Sequence, residues 1–341
     1  MMNRRIVLAA RPRGGTVAET DFRPETAPIP EPGEGQVLLR TAWLSLDPYM
    51  RGRMSDAPSY APPVGIGEVM TGEVVARVLA SRAPGVAEGA LVLARTGWQE
   101  HAVADADGVR PLPDTRGHPA SAALGVLGMP GMTAWAGLEN IGRPAPGETV
   151  VVGAAAGPVG SLVGQIARLR GARAVGVAGG ADKCAHVRAL GFAECLDRRD
   201  PGGAPLAERL AAACPGGVDV YWENVGGALW DAAFPLLNPF ARVPVCGLVG
   251  VASAEPVPGL DRTAQILRAV LTKRLRVQGF IVWDFAAQEA AFQREVGAWL
   301  AEGAITHRED VTEGLENAPR AFLRMLAGGN LGKTLVRVGP E

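Results

Sequence analysis

Apolar positions fall into distinct regimes along the chain. Over residues 1–125 they form short β-like runs, at 36–43 (QVLLRTAW), 72–79 (GEVVARVL) and 90–94, separated by glycine and proline. Short strands with frequent turn residues between them predict an all-β or barrel-like unit. The first apolar run, residues 6–10, has Arg4, Arg5, Arg11 and Arg13 at its margins and reads as an opening strand. It is shorter than the roughly 7–15 apolar residues of a secretory signal. Residues 51–64 carry three prolines and little periodicity, which predicts an ordered loop.

Near residue 126 the pattern changes to strand, glycine turn and helix, repeated. Strands are predicted at 149–152, 174–177, 218–222, 242–247 and 276–281, and helices at 161–170 and 183–190. The first helix carries Leu162, Val163, Ile166, Ala167 and Leu169 at helical spacing. Alternating strands and helices imply right-handed crossovers and a parallel sheet. After about residue 304 the character is mixed again and ends in a strand-like 333–338. The expected domains are therefore 1–125 with 305–341, and 126–304.

Composition narrows the partners. The chain has 341 residues, enough for two domains at about 150 residues each. Lys and Arg total 34 against 35 for Asp and Glu, a net charge of -1. That balance argues against nucleic acid or an anionic membrane as the main partner. No apolar stretch approaches the roughly 20 residues of a membrane span. The four cysteines, Cys184, Cys195, Cys214 and Cys246, form no C-x-x-C pair and are too few for a disulfide scaffold. The expected compartment is the reducing cytoplasm.

The strongest motif is VVGAAAGPVGSLVG, residues 151–164, which follows a strand and opens a helix. Its skeleton is A-x-G-x-x-G at Ala155, Gly157 and Gly160, with Pro158 and Val159 between the glycines. Gly157 lets backbone approach a pyrophosphate, and Gly160 allows close packing of helix on strand. The amides of the helix start face the negative charge. An ordinary glycine-rich turn would share part of this pattern. The second strand runs into Ala178-Gly179-Gly180 with no carboxylate at its end, where an NAD site usually holds one. Lys183 follows in the next helix's first turn, where a cation can meet a 2′-phosphate; the alternative is a solvated helix residue. Asp182 beside it is placed past the ribose position. NADPH is therefore the expected cofactor.

No metal cluster is visible: His101, His118, His186 and His307 are scattered, and Cys184 and His186 point to different helix faces. Ligands assembled in space are not excluded by spacing alone. A dinucleotide site without metal points to hydride transfer with hydrogen-bond stabilisation of an oxyanion.

These motifs together resemble the zinc-free medium-chain dehydrogenase/reductases, in the branch of prostaglandin reductase, leukotriene hydroxydehydrogenase and bacterial curcumin reductase. The residues that carry the resemblance are LSLDPYMRGRM (44–54), GMPGMTAW (128–135), AAAGPVGSLVGQIA (154–167), AGGADKC (178–184), VYWENVGG (220–227), GFIV (279–282) and NLGKTLV (330–336). The resemblance implies an α/β chain: a GroES-like β-barrel domain, completed by the C-terminal strands, plus a Rossmann doubly wound parallel-sheet domain, with the cofactor in the cleft between them. It also implies a homodimer. Asp47-Pro48-Tyr49 looks like the place where zinc-dependent relatives have a cysteine ligand, and Gly65-Ile66-Gly67-Glu68 looks like a replaced G-H-E motif.

The same resemblance puts residues 157–160 on the pyrophosphate and Lys183 on the 2′-phosphate. Asn224 and Asn330 would contact the cofactor, and Cys246, Gly247, Phe280, Ile281 and Val282 would line its nicotinamide half. Arg198 aligns where relatives often have a tyrosine near the adenosine phosphate, a second cation for it. Relatives also tend to carry a tyrosine in the loop after Gly247; here the loop has none and Ala252 falls at that position, so a mechanism that uses that tyrosine hydroxyl is in doubt.

The implied reaction is hydride transfer from NADPH to the β-carbon of an α,β-unsaturated carbonyl compound. Tyr49 is the candidate donor to the developing enolate oxygen, beside the cofactor's ribose hydroxyl. The alternative is a structural corner, with Tyr49 packed and Arg51 paired to a carboxylate. Tyr60, Met132 and Trp283 are candidate pocket residues, joined by Met50, Met54 and Met129, which equally fit a core. Two other functions remain open: a quinone reductase of the same architecture, and a non-catalytic NADPH-binding protein in redox sensing.

Overall fold

The structure is a computed structural model that describes residues 2–200, 202–250 and 262–341. The chain divides into two units, Met1–Gly128 with Glu309–Glu341, and Met129–Arg308. The first unit opens with β1 (Met2–Leu8), paired antiparallel with β2 (Phe22–Pro28). β3 (Gln36–Ser45) is followed by α1 (Tyr49–Arg53), β4 (Val74–Ser81), β5 (Leu91–Ala94), β6 (His101–Asp105) and β7 (Val109–Pro111).

Two sequence expectations change here. Residues 51–64 are not all loop, because a short helix occupies Tyr49–Arg53. Its buried Met50 and the following Met54 belong to the unit's core, and so short a helix cannot show helical periodicity. β2 was not anticipated. Only its first residue, Phe22, is buried, so it lacks an apolar stripe and exists through pairing with β1.

The second unit runs α2 (Met129–Gly137), β8 (Thr149–Gly153), α3 (Pro158–Leu169), β9 (Arg173–Ala178), α4 (Ala181–Ala189), β10 (Glu194–Asp197), α5 (Leu206–Ala213), β11 (Val218–Trp222), α6 (Ala228–Ala233), β12 (Leu237–Val245), α7 (Thr263–Lys273), β13 (Arg276–Gly279) and α8 (Glu289–Ala301). Its six strands are all parallel, in the order β10-β9-β8-β11-β12-β13. Val150, Val151, Val152, Val175, Val218 and Val220 are fully buried, as expected of strands covered on both faces. β12 starts earlier than the predicted 242–247, at Leu237. Pro239, Pro244 and a left-handed Phe240 (φ 65°) disguise it as a turn.

The chain then returns to the first unit with β14 (Glu309–Glu313), α9 (Ala318–Leu326) and β15 (Lys333–Arg337). These complete a curled sheet ordered β14-β15-β3-β4-β5-β7, with β6 also pairing β3. The architecture is the α/β class expected: a β-barrel-like domain plus a Rossmann sheet. Trp98 anchors the first core, stacked on Phe22 at 5.4 Å and edge-on to Phe322 at 5.7 Å. Gly97 beside it has φ +77°, and a Cβ there would stand 2.2 Å from the Met70 carbonyl oxygen. Gly97→Ala is therefore expected to destabilise the protein by about 3 kcal/mol or more, from left-handed backbone cost plus a backbone clash. Chemical denaturation measures it; a change under about 1 kcal/mol would contradict the fold drawn here.

Candidate active site

In an open parallel sheet, ligands bind beyond the carboxyl ends of the strands, where the strand order reverses. Here the reversal lies between β8 and β11. The glycine turn leaves β8 at that point, and residues 223–225 leave β11 beside it. Gly157 caps α3 and Pro158 fills its first turn, where no amide hydrogen is needed. A Cβ at Gly160 would lie 2.5 Å from the Ala154 carbonyl oxygen, so only glycine lets the helix sit this close to the turn. Ala154 adopts φ 50°, a left-handed conformation that costs a non-glycine residue roughly 1–2 kcal/mol. The turn is thus held against local preference by the packing of α3, whose Leu162, Val163 and Ile166 are buried. The amides of Val159 and Gly160 lie in the helix's first turn, which leaves its N–H groups without intrahelical partners. The turn fits a diphosphate.

The end of β9 is basic. A Cβ at Gly179 would stand 3.0 Å from Arg199 Nε and 3.3 Å from Arg198 Nε, so two guanidinium groups lie over bare backbone. Lys183 is half-buried on α4 nearby. Arg199 was missed in the sequence; adjacency to Arg198 was its only signal. A carboxylate is also present in space: Asp197 on β10 pairs in register with Ala178. Its Oδ1 accepts from the amides of Gly180 at 2.7 Å and Arg199 at 2.8 Å. The Gly180 amide, then that of Arg199, holds its carboxyl below the usual range. Asp197 therefore shapes the turn through these two backbone contacts.

At the end of β11, Asn224 donates to the Gly153 carbonyl at 2.9 Å and accepts from Trp222 Nε1 at 3.0 Å. Its side chain ties β11 to β8. Glu223, which sequence reasoning passed over, is fully buried. It accepts from the amides of Val225 (2.6 Å) and Gly226 (2.8 Å) and from the Tyr221 hydroxyl (3.0 Å). The amides of Cys246 and Gly247 in turn donate to the Glu223 carbonyl. Burial, and secondarily the Glu223 carboxylate, push the Cys246 thiol up to about 12, so it stays protonated near neutral pH. Phe280 is buried edge-on to Trp222 at 5.9 Å, which engages its ring in packing. Ile281 and Val282 are half-buried beside it, and Ile281 N donates to Asp284 at 2.9 Å. Met132 is buried in α2, whereas Trp283 is exposed. Ala252 lies outside the described residues.

Tyr49, Tyr60 and Asn330 lie in the first unit. Tyr49 is the first residue of α1 and is half-buried. Its phenol is pushed up from its ordinary value by burial and then by the Asp47 charge, so it is a neutral donor at pH 7. Asp47 is itself buried: Oδ1 accepts from Lys333 Nζ at 2.7 Å, and Oδ2 accepts from Ser45 Oγ. Lys333 also donates to the Leu46 carbonyl at 2.8 Å. Among the described residues Arg51 pairs with no carboxylate; it donates to the Gly15 carbonyl at 2.7 Å. Asn330 donates to the Gly332 carbonyl at 3.0 Å. Met50 and Met54 are core, not pocket wall.

Residues 4–112 match the family described as the N-terminal domain of oxidoreductase, and residues 158–300 the family described as zinc-binding dehydrogenase. The chain is 54% identical to the NADPH-dependent curcumin reductase of Escherichia coli (strain K12), over 99% of this chain and 98% of that protein. The chain belongs to the medium-chain dehydrogenase/reductase superfamily. Within that superfamily it is also 38% identical to prostaglandin reductase 1 of Bos taurus, over 95% of each chain. The crystal structure of CurA in complex with NADPH from Vibrio vulnificus superposes with a TM-score of 0.94, at 48% identity and over 99% of this chain and 100% of that one. The zinc in one family description finds no matching donors: among the described residues no three His, Cys, Asp or Glu side chains group as a metal site.

Proposed function

We propose that this medium-chain dehydrogenase/reductase is an NADPH-dependent reductase of activated carbon–carbon double bonds, acting on α,β-unsaturated carbonyl compounds. The carrying observation is the bare-glycine turn at the sheet's reversal point, flanked by Lys183, Arg198 and Arg199. Reductases of curcumin and prostaglandins among the relatives support the substrate class. The amides around Gly157 and Gly160 would hold the diphosphate, and Lys183 with Arg198 the 2′-phosphate. When bound, NADPH supplies a hydride. Cys246, Gly247, Phe280, Ile281, Val282, Asn224 and Asn330 would line or contact the cofactor.

Tyr49 is the chain's own contribution to the chemistry. As the β-carbon gains hydride, negative charge develops on the carbonyl oxygen, and a neutral phenol stabilises it by donating a hydrogen bond. Its raised pKa keeps the proton on Tyr49 Oη through neutral and mildly alkaline pH. Tyr60, Met132 and Trp283 are proposed around the substrate. Tyr49→Phe is expected to lower kcat about 10²-fold while NADPH affinity stays within about twofold. Steady-state rates with enones, enals and quinones, with product identification, test both claims. Saturated carbonyl products support the reading. Reduction of quinones alone, or of no acceptor, would replace it.

We also propose a cytoplasmic homodimer. All four cysteines are free, which suits a reducing compartment. β13 is a sheet edge with Val277 exposed, and α7 exposes Leu267 and Leu271. No helix among the described residues is long and apolar enough to cross a membrane.

A further inference from the structure

Arg53, the last residue of α1, has its guanidinium over two rings: 5.8 Å from the Tyr49 centroid and 5.1 Å from that of Tyr60. Both distances lie within the roughly 6 Å range of cation–π attraction. One N–H is used, from Nη1 to the Pro62 carbonyl at 3.1 Å. A guanidinium has five N–H donors, so attraction to rings leaves its hydrogen-bonding edge largely uncommitted.

Carboxylates on this stretch of chain are engaged elsewhere. Asp47 is held by Lys333 and Ser45. Asp56 pairs with Arg11, and Glu68 accepts from the Gly65 amide at 2.7 Å. Among the described residues no carboxylate pairs with Arg53. Its near neighbour Arg51 behaves differently, because both of its hydrogen bonds close onto the Gly15 carbonyl. The loop that carries Tyr60 is also fastened: Val64 N donates to the Arg53 carbonyl at 2.8 Å, and Arg11 Nη1 to the Val64 carbonyl at 2.5 Å. Among the described residues, a half-buried cation with no carboxylate partner is thus held on the ring of the proposed donor Tyr49, under a Tyr60 that is 53% exposed.

We propose that Arg53 is a specificity residue that selects unsaturated carbonyl substrates bearing a carboxylate, which it binds through its free N–H edge while Tyr49 and Tyr60 flank it. The inference rests on Tyr49 being the donor of the double-bond reductase described above. A charge-assisted hydrogen bond is about twice as strong as a neutral one, so a carboxylate should be preferred about tenfold over its ester.

The test uses the full-length protein and one pair of probes, 4-(3-oxobut-1-enyl)benzoate and its methyl ester. In the wild type, kcat/KM is expected to favour the carboxylate about tenfold. In Arg53→Met the ratio should fall to about one, chiefly through KM, and Arg53→Lys should restore part of it. Calorimetric titration of both probes onto the NADPH-saturated protein and its variants gives the same contrast without turnover. A ratio near one in the wild type, or one unchanged in Arg53→Met, overturns the role of Arg53. Charge-dependent binding lost in Arg53→Met, with neither probe reduced, upholds carboxylate binding by Arg53 and overturns the double-bond reading on which its role in substrate selection rests. Neither turnover nor charge-dependent binding overturns both.

Discussion

Methionine in place of Lys333 is expected to lower the folding free energy by about 3–5 kcal/mol, since it strands the buried Asp47 carboxylate without its cation. Lys333 and Asp47 side chains are only 3% and 6% exposed, so water cannot replace the lost partner. Lys333 Nζ also satisfies the Leu46 carbonyl, which the thioether cannot do. The double variant Lys333→Met/Asp47→Leu should recover much of the loss, because it removes the charge along with its counter-charge. Urea denaturation of the three proteins measures the cycle. A single-variant loss below 1 kcal/mol, or a double variant worse than Lys333→Met, would contradict a buried ion pair at this site. Tyr49 stands two residues from Asp47, so activity lost in Lys333→Met and regained in the double variant would tie the donor's placement to this network.

The second large effect concerns the cofactor. Lys183→Ala/Arg198→Ala is expected to weaken NADPH by about 10²-fold or more and to change NADH by less than about threefold. Each charge-assisted contact to phosphate contributes roughly 1.5–3 kcal/mol, and every 1.4 kcal/mol is a factor of ten. The contacts concern a group that NADH lacks. Arg199→Ala added to the pair should deepen the loss, since its Nε lies as near Gly179 as that of Arg198. Fluorescence titration with both nucleotides decides. Equal weakening of the two would remove these cations from the 2′-phosphate and leave NADPH selection without a cause in this turn.

Asp197 is where reading along the chain and reading in space diverge most. Along the chain the second strand of the nucleotide-binding unit ends without an acid, and that pointed to NADPH. In space an acid does stand there, brought by strand pairing from β10. There its Oδ1 accepts from two backbone amides of the turn. Asn224 and Phe280 differ in another way. Both lie at strand ends, but one side chain ties strands and the other packs a core.

The sequence by itself determined most of the buried parallel strands, the glycine turn and the basic residues beyond the second of those strands. Each depends on a local demand: a buried parallel strand must be continuously apolar, and a backbone that touches a neighbouring turn must lack a Cβ. Val218–Trp222, apolar except for Asp219, has the observed limits of its predicted strand. Tertiary structure alone decided that Lys333 meets Asp47 across 286 residues of chain, that Glu223 organises the end of β11, and that Arg53 lies over two tyrosine rings. Such contacts leave no periodicity. They depend on which distant groups must satisfy one another once water has been excluded, and only the packed fold brings those groups together.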